Sequence, residues 1–149
     1  MKDVIQREIT IKASKQRVYD AIANPEKVTK WFPQTLDGEY KVGAQPVFGF
    51  GEHGKNRISV VAAQPHEYFA YRWVPGANHY LGDMSAVATT LVEFRIAEQA
   101  DGTCKVTLTE SGFSSLPAET MEPAFKQNSG GWDFMLGRLE KYFEATSSD

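Results

Sequence analysis

From residue 37 onward, as far as Ser111, apolar and polar positions alternate with a period of two, whereas from Val18 to Phe32 and from Trp132 to Phe143 the apolar positions recur at three and four. A period of two gathers one set of side chains on one face of a strand, and steps of three and four gather them on one face of a helix. The longest helical pattern closes the chain. From Asn128 to Phe143, Trp132, Met135, Leu136, Leu139 and Phe143 share one face, yet the same stretch holds Gly130, Gly131 and Gly137. Each glycine costs a helix roughly 1 kcal/mol relative to alanine. Each of the five apolar side chains contributes about 1.5–3 kcal/mol if fully buried, so packing against a large apolar surface must hold this helix. The glycines then either permit close backbone approach or leave empty volume beside the helix. Its start falls between Pro117 and Pro123, because proline is tolerated only in the first helical turn.

At the other end, Val4 and Ile5 followed by Glu8 to Lys12 read as a strand. Ser14 offers an N-cap for a short helix with Val18, Ala21 and Ile22 on one face. Asn24-Pro25 places a capping side chain and a first-turn proline ahead of a second short helix, with Val28, Trp31 and Phe32 at i, i+3 and i+4 and Pro33 ending it. The period-two region divides into strands over 47–50, 57–63, 68–74, 86–96 and 103–111. Gln64-Pro65-His66-Glu67 is a tight connection, Asp101-Gly102 is a hairpin signal, and Pro75 to Asp83 is the longest loop, expected to act as a mobile flap. The order predicts an α+β fold: a curved antiparallel sheet of about six or seven strands gripping a long C-terminal helix, with two short helices after the first strand. Residues 1–149 contain no repeat or linker and read as a single domain.

Parity then assigns the faces. Phe69, Tyr71 and Trp73 point inward together, as do Val92, Phe94 and Ile96 in the next strand. Across the Asp101-Gly102 turn the inward set is Cys104, Val106 and Leu108, and continuing it places Glu110 inside. A buried carboxylate needs a raised pKa or a partner; the plainer alternative puts Glu110 at the wet end of the strand, paired with Arg or Lys or with backbone amides. If Glu110 faces a water-poor space unpaired, Gln in its place should stabilise the protein. Trp31, Phe32, Phe48, Phe50, Tyr71, Trp73, Phe94 and Trp132 form an aromatic interior, of which a part is expected to line a pocket.

Composition narrows the function classes. The 149 residues are 42% hydrophobic and 23% charged with a formal net charge of −3, which is ordinary globular usage. Lysine and arginine do not cluster, so a nucleic-acid surface is not expected. The charged opening Met1 to Glu8 does not read as a signal peptide and no segment reaches the length of a membrane span, which points to a soluble, cytoplasmic protein. A lone Cys104 excludes an internal disulfide and a multi-thiolate metal site.

Three motif matches fail on context. Gly49-Phe50-Gly51-Glu52-His53-Gly54-Lys55-Asn56 resembles a phosphate-binding glycine loop, but such loops open a helix and here the β-patterned Ile58-Ser59-Val60-Val61 follows. His66-Glu67 begins a zinc-protease signature, but Ala70 stands where the second histidine belongs. Gly112-Phe113-Ser114-Ser115-Leu116 lacks the closing glycine of a nucleophile elbow. His53, His66 and His79 all fall in turns, and no metal or cofactor is expected.

The run Val18 to Pro25 leading to Lys30-Trp31-Phe32, with Gly130-Gly131-Trp132 leading to Met135-Leu136 and Leu139, resembles the SRPBCC superfamily of START-like, birch-pollen-allergen-like helix-grip proteins. Within it the chain is similar to the branch named for the C-terminal domain of the heat-shock protein 90 ATPase activator. The resemblance implies a deep apolar cavity between sheet and long helix, with Trp31 and Phe32 at its mouth, Trp73 and Phe94 on the sheet wall, and Trp132 and Met135 on the helix wall; the inward parity adds Phe48, Phe50, Tyr71, Leu108 and Glu110 to the residues expected to line it. Family members often carry histidine where this chain has Glu110. Three functions follow as expectations: binding of a small apolar or amphipathic ligand, association with a chaperone under stress, or cofactor-free polyketide cyclase or aromatase chemistry with Glu110 as the candidate acid or base and Tyr71 or Tyr80 orienting the substrate. No catalytic residue beyond Glu110 is suggested, and oligomeric state is not legible.

Overall fold

The computed structural model describes residues 3–76 and 80–146. His79 and the centre of the expected Pro75 to Asp83 flap therefore lie outside the described residues. Strand β1 (Val4–Ile11) leads into helix α1 (Lys15–Ala23), whose N-cap Ser14 accepts a hydrogen bond from the Arg17 amide at 3.3 Å. Asn24 serves two helices. Its amide donates to the Asp20 carbonyl and ends α1, while its side-chain oxygen accepts from the Glu26 amide at 2.9 Å and starts α2 (Pro25–Val28). α2 is one turn long, so Trp31 and Phe32 follow it in a turn rather than sitting on a helix as the spacing predicted. The Phe32 amide still donates to the Val28 carbonyl at 2.9 Å, which keeps the two rings on the expected side.

The remaining strands are β2 (Thr35–Asp37), β3 (Val47–Gly49), β4 (Lys55–Gln64), β5 (Tyr68–Trp73), β6 (Thr90–Glu98) and β7 (Cys104–Ser111). They form one curved seven-stranded sheet in the order β1-β7-β6-β5-β4-β3-β2, every pair antiparallel. β2 was not foreseen: three residues with a single half-buried Leu36 are too few to show a period. β6 starts at Thr90, not at 86, because Asp83 caps a 3₁₀ turn over Met84–Ala86 by accepting from the Ser85 amide at 3.0 Å.

Helix α3 (Ala118–Thr146) runs 29 residues across the concave face, a length of about 44 Å at 1.5 Å per residue. Pro123 lies at its sixth position, past the first turn where the sequence reading confined proline. Only the bond to the Glu119 carbonyl is forfeited, and burial further along outweighs it: Ala124, Trp132, Leu136, Leu139 and Phe143 are all buried against the sheet and α1. The three helix glycines settle the earlier choice. A Cβ added at Gly130, Gly131 or Gly137 would meet nothing within 4 Å, so they leave open space and do not bring backbones together. Outside, Arg7 on β1 binds Asp133 at 2.7 Å and the Ser129 hydroxyl at 2.8 Å, fixing the middle of α3 to the sheet edge. No helix among the described residues is long and apolar enough to cross a membrane.

Candidate functional site

The inward row of β7 runs as parity requires, through Cys104, Val106 and Leu108 to Glu110, and Glu110 is 0% exposed. It is not at a wet end, and its partners are neither cations nor backbone amides. Oε2 accepts from the Trp73 indole at 2.9 Å and from the Thr90 hydroxyl at 2.5 Å. Oε1 accepts from the Trp132 indole at 2.8 Å, and the Asn128 amide donates to both oxygens at 2.9 and 3.0 Å. Indole nitrogens can only donate, and a carboxylate offers about four lone-pair sites, so these four side chains use its accepting capacity. Bonds to a charged acceptor are the stronger kind and offset the cost of removing the carboxylate from water.

The geometry follows from strand pairing. Val92 faces Glu110 across β6 and β7, Tyr71 faces Val92 across β5 and β6, and Trp73 faces Thr90. This brings the Trp73 and Thr90 donors to one end of β7. From above, Asn128 and Trp132 lie four residues apart on α3 and so share a face. Asn128 reaches further: its side-chain oxygen accepts from the Gly76 amide at 3.0 Å. Gly76 has φ +77°, and a Cβ there would stand 3.0 Å from Ala124 Cα, so both conformation and space demand glycine. Beside it, buried Asn56 donates to the Val74 carbonyl and accepts from the Tyr80 amide, each at 3.0 Å.

Against these polar ties opens a cleft of about 440 Å³. Phe32, Phe50, Trp73, Trp132 and Met135 supply its aromatic and thioether wall, Gly131 its helix side, and His53, Gln127 and Phe134 its rim. The Trp73 and Trp132 rings lie 5.9 Å apart with planes inclined by 31°, and the Phe32 ring lies 5.9 and 5.4 Å from them. Glu110 itself does not face the cleft. It holds two cleft-lining indoles from behind and is a positioning residue.

Of the other residues expected in the cavity, Trp31 is buried and donates its indole to the Ala21 carbonyl at 2.8 Å, tying its turn to α1 instead of standing at a mouth. Phe48 packs beneath Phe32, Phe94 packs edge-on behind Trp132, and Leu108 pairs with Phe94 in the sheet; all three are core. Tyr71 also lies behind the cleft, 5.1 Å from Trp73 and 6.5 Å from Phe32 between ring centroids. Its hydroxyl is the one buried side-chain polar atom without a hydrogen-bond partner among the described residues. Burial, followed by the negative charge of Glu110, raises its pKa well above the ordinary phenol value.

Sequence reasoning missed Thr90, Asn128 and Asn56. The signal for Asn128 was present, since asparagine is a poor helix former and here stands four residues before an inward tryptophan. Nothing local marks Thr90, which fits an ordinary strand. His53 lies in a 3₁₀ turn at the rim and His66 in the β4–β5 turn, where its ring meets Tyr19 edge-on. No cluster of His, Cys, Asp or Glu suited to a metal occurs among the described residues.

The architecture recurs in solved structures. DynU16, a protein of the dynemicin biosynthetic locus, aligns over 97% of this chain with a TM-score of 0.77 and 23% identity; this chain spans 48% of that one. Protein MLL2253 from Mesorhizobium loti aligns over 96% of this chain and 98% of its own, with a TM-score of 0.76 and 19% identity. The Aha1 dimer from Colwellia psychrerythraea, solved in solution, aligns over 93% and 94% with a TM-score of 0.70 and 20% identity. At these identities the likeness establishes the fold. No curated protein matches the sequence. The sequence profile described as activator of Hsp90 ATPase homolog 1-like protein matches residues 12–144, nearly the whole of what the fold uses, and the chain belongs to that family.

Proposed function

We propose that the protein binds a small apolar or amphipathic molecule in the cleft between α3 and the β3–β5 end of the sheet. The observation that carries this reading is the pair of indoles, Trp73 and Trp132, held by Glu110 so that their rings face the cleft. Its volume of about 440 Å³ falls within the range of small-molecule sites. Walls fixed before binding lose little freedom when a ligand arrives, and that favours affinity. Acid or base chemistry by Glu110 is not part of the reading, because the carboxylate is enclosed by its four donors and does not reach the cleft. The place of DynU16 in a biosynthetic locus is consistent with a small-molecule role for this fold, although that protein is about twice as long.

Tryptophan fluorescence tests the reading, since two of the three tryptophans line the cleft. Titration with fatty acids, flavonoids and polyketide-like aromatics should give a saturable change in the wild type. In Gly131→Leu, where the new side chain grows into the cleft, the affinity should fall at least about tenfold, equivalent to about 1.4 kcal/mol. An unchanged affinity in that variant, or no saturable binding by any compound, would overturn the proposal. A protein partner is the second reading, favoured by Phe134, which is 65% exposed on the same rim. Stimulation of an Hsp90-class ATPase by the wild type and not by Phe134→Ser would support it.

A further inference from the structure

The cleft floor is formed by three rings that are not equally fixed. Trp73 and Trp132 are each hydrogen-bonded to Glu110, whereas Phe32 has no polar atom to tether it and sits on the irregular turn after α2. Phe32 is also the ring that joins the cleft to the core: it lines the cleft beside both indoles and Phe50, and it packs on Trp31, Phe48 and Tyr71. The Tyr71 ring lies 6.5 Å from that of Phe32 between centroids, and its hydroxyl is fully buried without a partner. A buried hydroxyl with no acceptor carries its whole desolvation cost, and each such group in a native fold calls for an explanation. Phe48, Trp73 and Phe32 are ring neighbours of Tyr71 and cannot accept a conventional hydrogen bond, while Glu110 and Tyr40 act on it electrostatically without bonding its hydroxyl.

Resting on the binding function proposed above, we propose that the Tyr71 hydroxyl is the deep recognition point of the cleft, donating to a neutral carbonyl-type oxygen of an apolar ligand when Phe32 swings off the floor. The charge of the ligand follows from the neighbours. Burial and the nearby Glu110 carboxylate keep Tyr71 protonated, so it donates. The same carboxylate repels a second anion in a low-dielectric interior, so a ketone, ester or amide oxygen is accepted and a carboxylate is not. The Tyr71 hydroxyl thus distinguishes molecules of the same apolar shape by the presence and charge of one oxygen. A site built to bond a polar atom discriminates against analogues lacking it far more sharply than an apolar wall discriminates by size.

Three matched probes, 2-acetylnaphthalene, 2-ethylnaphthalene and 2-naphthoate, test this by NMR titration of wild type and Tyr71→Phe. In the wild type the acetyl compound should bind about tenfold more tightly than the ethyl compound, the worth of one buried hydrogen bond, and the carboxylate should bind more weakly than the ketone. In Tyr71→Phe the acetyl-to-ethyl ratio should fall to about one, since the ring is kept and only the hydroxyl is lost. The Phe32 ring signals should shift when 2-acetylnaphthalene binds. The free Tyr71→Phe protein should melt no lower than the wild type. A ratio that survives in Tyr71→Phe, a ratio near one in the wild type, or unshifted Phe32 signals would overturn this inference while leaving the cleft as a binding site. A Tm several degrees lower in Tyr71→Phe would overturn it too, showing that the hydroxyl already has an internal partner such as a buried water. Binding of none of the three probes would overturn this inference, while the function on which it rests falls only if the wider set of fatty acids, flavonoids and polyketide-like aromatics also fails to bind.

Discussion

The two halves of α3 lie over the same sheet but are held to it by different forces. From Leu136 to Phe143 the helix presents Leu136, Leu139 and Phe143, all buried in a core that includes Val18, Ile22, Val106 and Leu108. From Ala124 to Trp132 it presents Asn128 and Trp132, which are hydrogen-bonded to Glu110, and its glycines border open space. Hydrophobic burial is non-directional and scales with area, so the C-terminal half needs only hydrocarbon of suitable volume. Hydrogen bonds to a buried carboxylate need particular atoms in particular places, so the N-terminal half can hold two indole rings in fixed positions beside a cleft. One half of the helix stabilises the fold, and the other shapes a site at some cost in packing.

The largest effect is expected where the helix is pure core. Leu139→Ala removes a fully buried side chain and should lower the unfolding free energy by about 2–5 kcal/mol, read from denaturant midpoints, while the folded protein keeps its cleft affinity. A loss below about 1 kcal/mol, within what a collapsing site can absorb, would break the contrast between the halves. At the polar end the structure reverses the sign that the sequence suggested. Glutamine at position 110 would keep one accepting oxygen and turn an amide group towards donors, so Glu110→Gln should destabilise by about 1–3 kcal/mol instead of stabilising. It should also alter tryptophan emission, because one of the two cleft indoles then meets an amide NH2 in place of its accepting oxygen. Equal or higher stability would show that the four donors do not hold the carboxylate.

The smallest effect concerns how the chain enters α3. The Asp3 carboxylate accepts from the amides of Ser114 at 2.7 Å and Gly112 at 3.3 Å, which ties β1 to the turn ahead of the helix. The Ser114 bonds lead in holding its pKa below the ordinary value of 3.8. A carboxyl group with a lowered folded pKa adds stability above its unfolded value, and that stability is lost as pH falls through the folded value. Asp3→Asn should therefore lower stability slightly at neutral pH and flatten the acid limb below about pH 4. Identical acid limbs in wild type and variant would show that this exposed carboxylate does not steady the entry to the polar half.

Much of the fold was written locally. Ser14 and Asn24 name their helix starts because a cap bonds amides two or three residues away. The inward sets Phe69-Tyr71-Trp73 and Cys104-Val106-Leu108-Glu110 follow from a period of two, which is a property of the strand itself. What reached too far was the cavity. Trp31, Phe48, Phe94 and Leu108 are inward and apolar just as Phe32 and Trp73 are, and periodicity distinguishes only inside from outside, not a core position from one bordering empty space.

By itself, then, the sequence determined the order of the longer elements, the faces of the strands and the inward parity of Glu110, since each depends on neighbours within a few positions along the chain; that Glu110 is buried and not at a wet end was decided by the tertiary structure. Only the tertiary structure decided that Thr90, Asn128, Trp73 and Trp132 converge on that carboxylate from three different elements. It alone left the Tyr71 hydroxyl without a partner behind Phe32. These outcomes depend on distances between residues far apart along the chain, such as Phe32 and Trp132, 100 positions apart at one cleft, and strand register and helix placement set such distances where local pattern cannot.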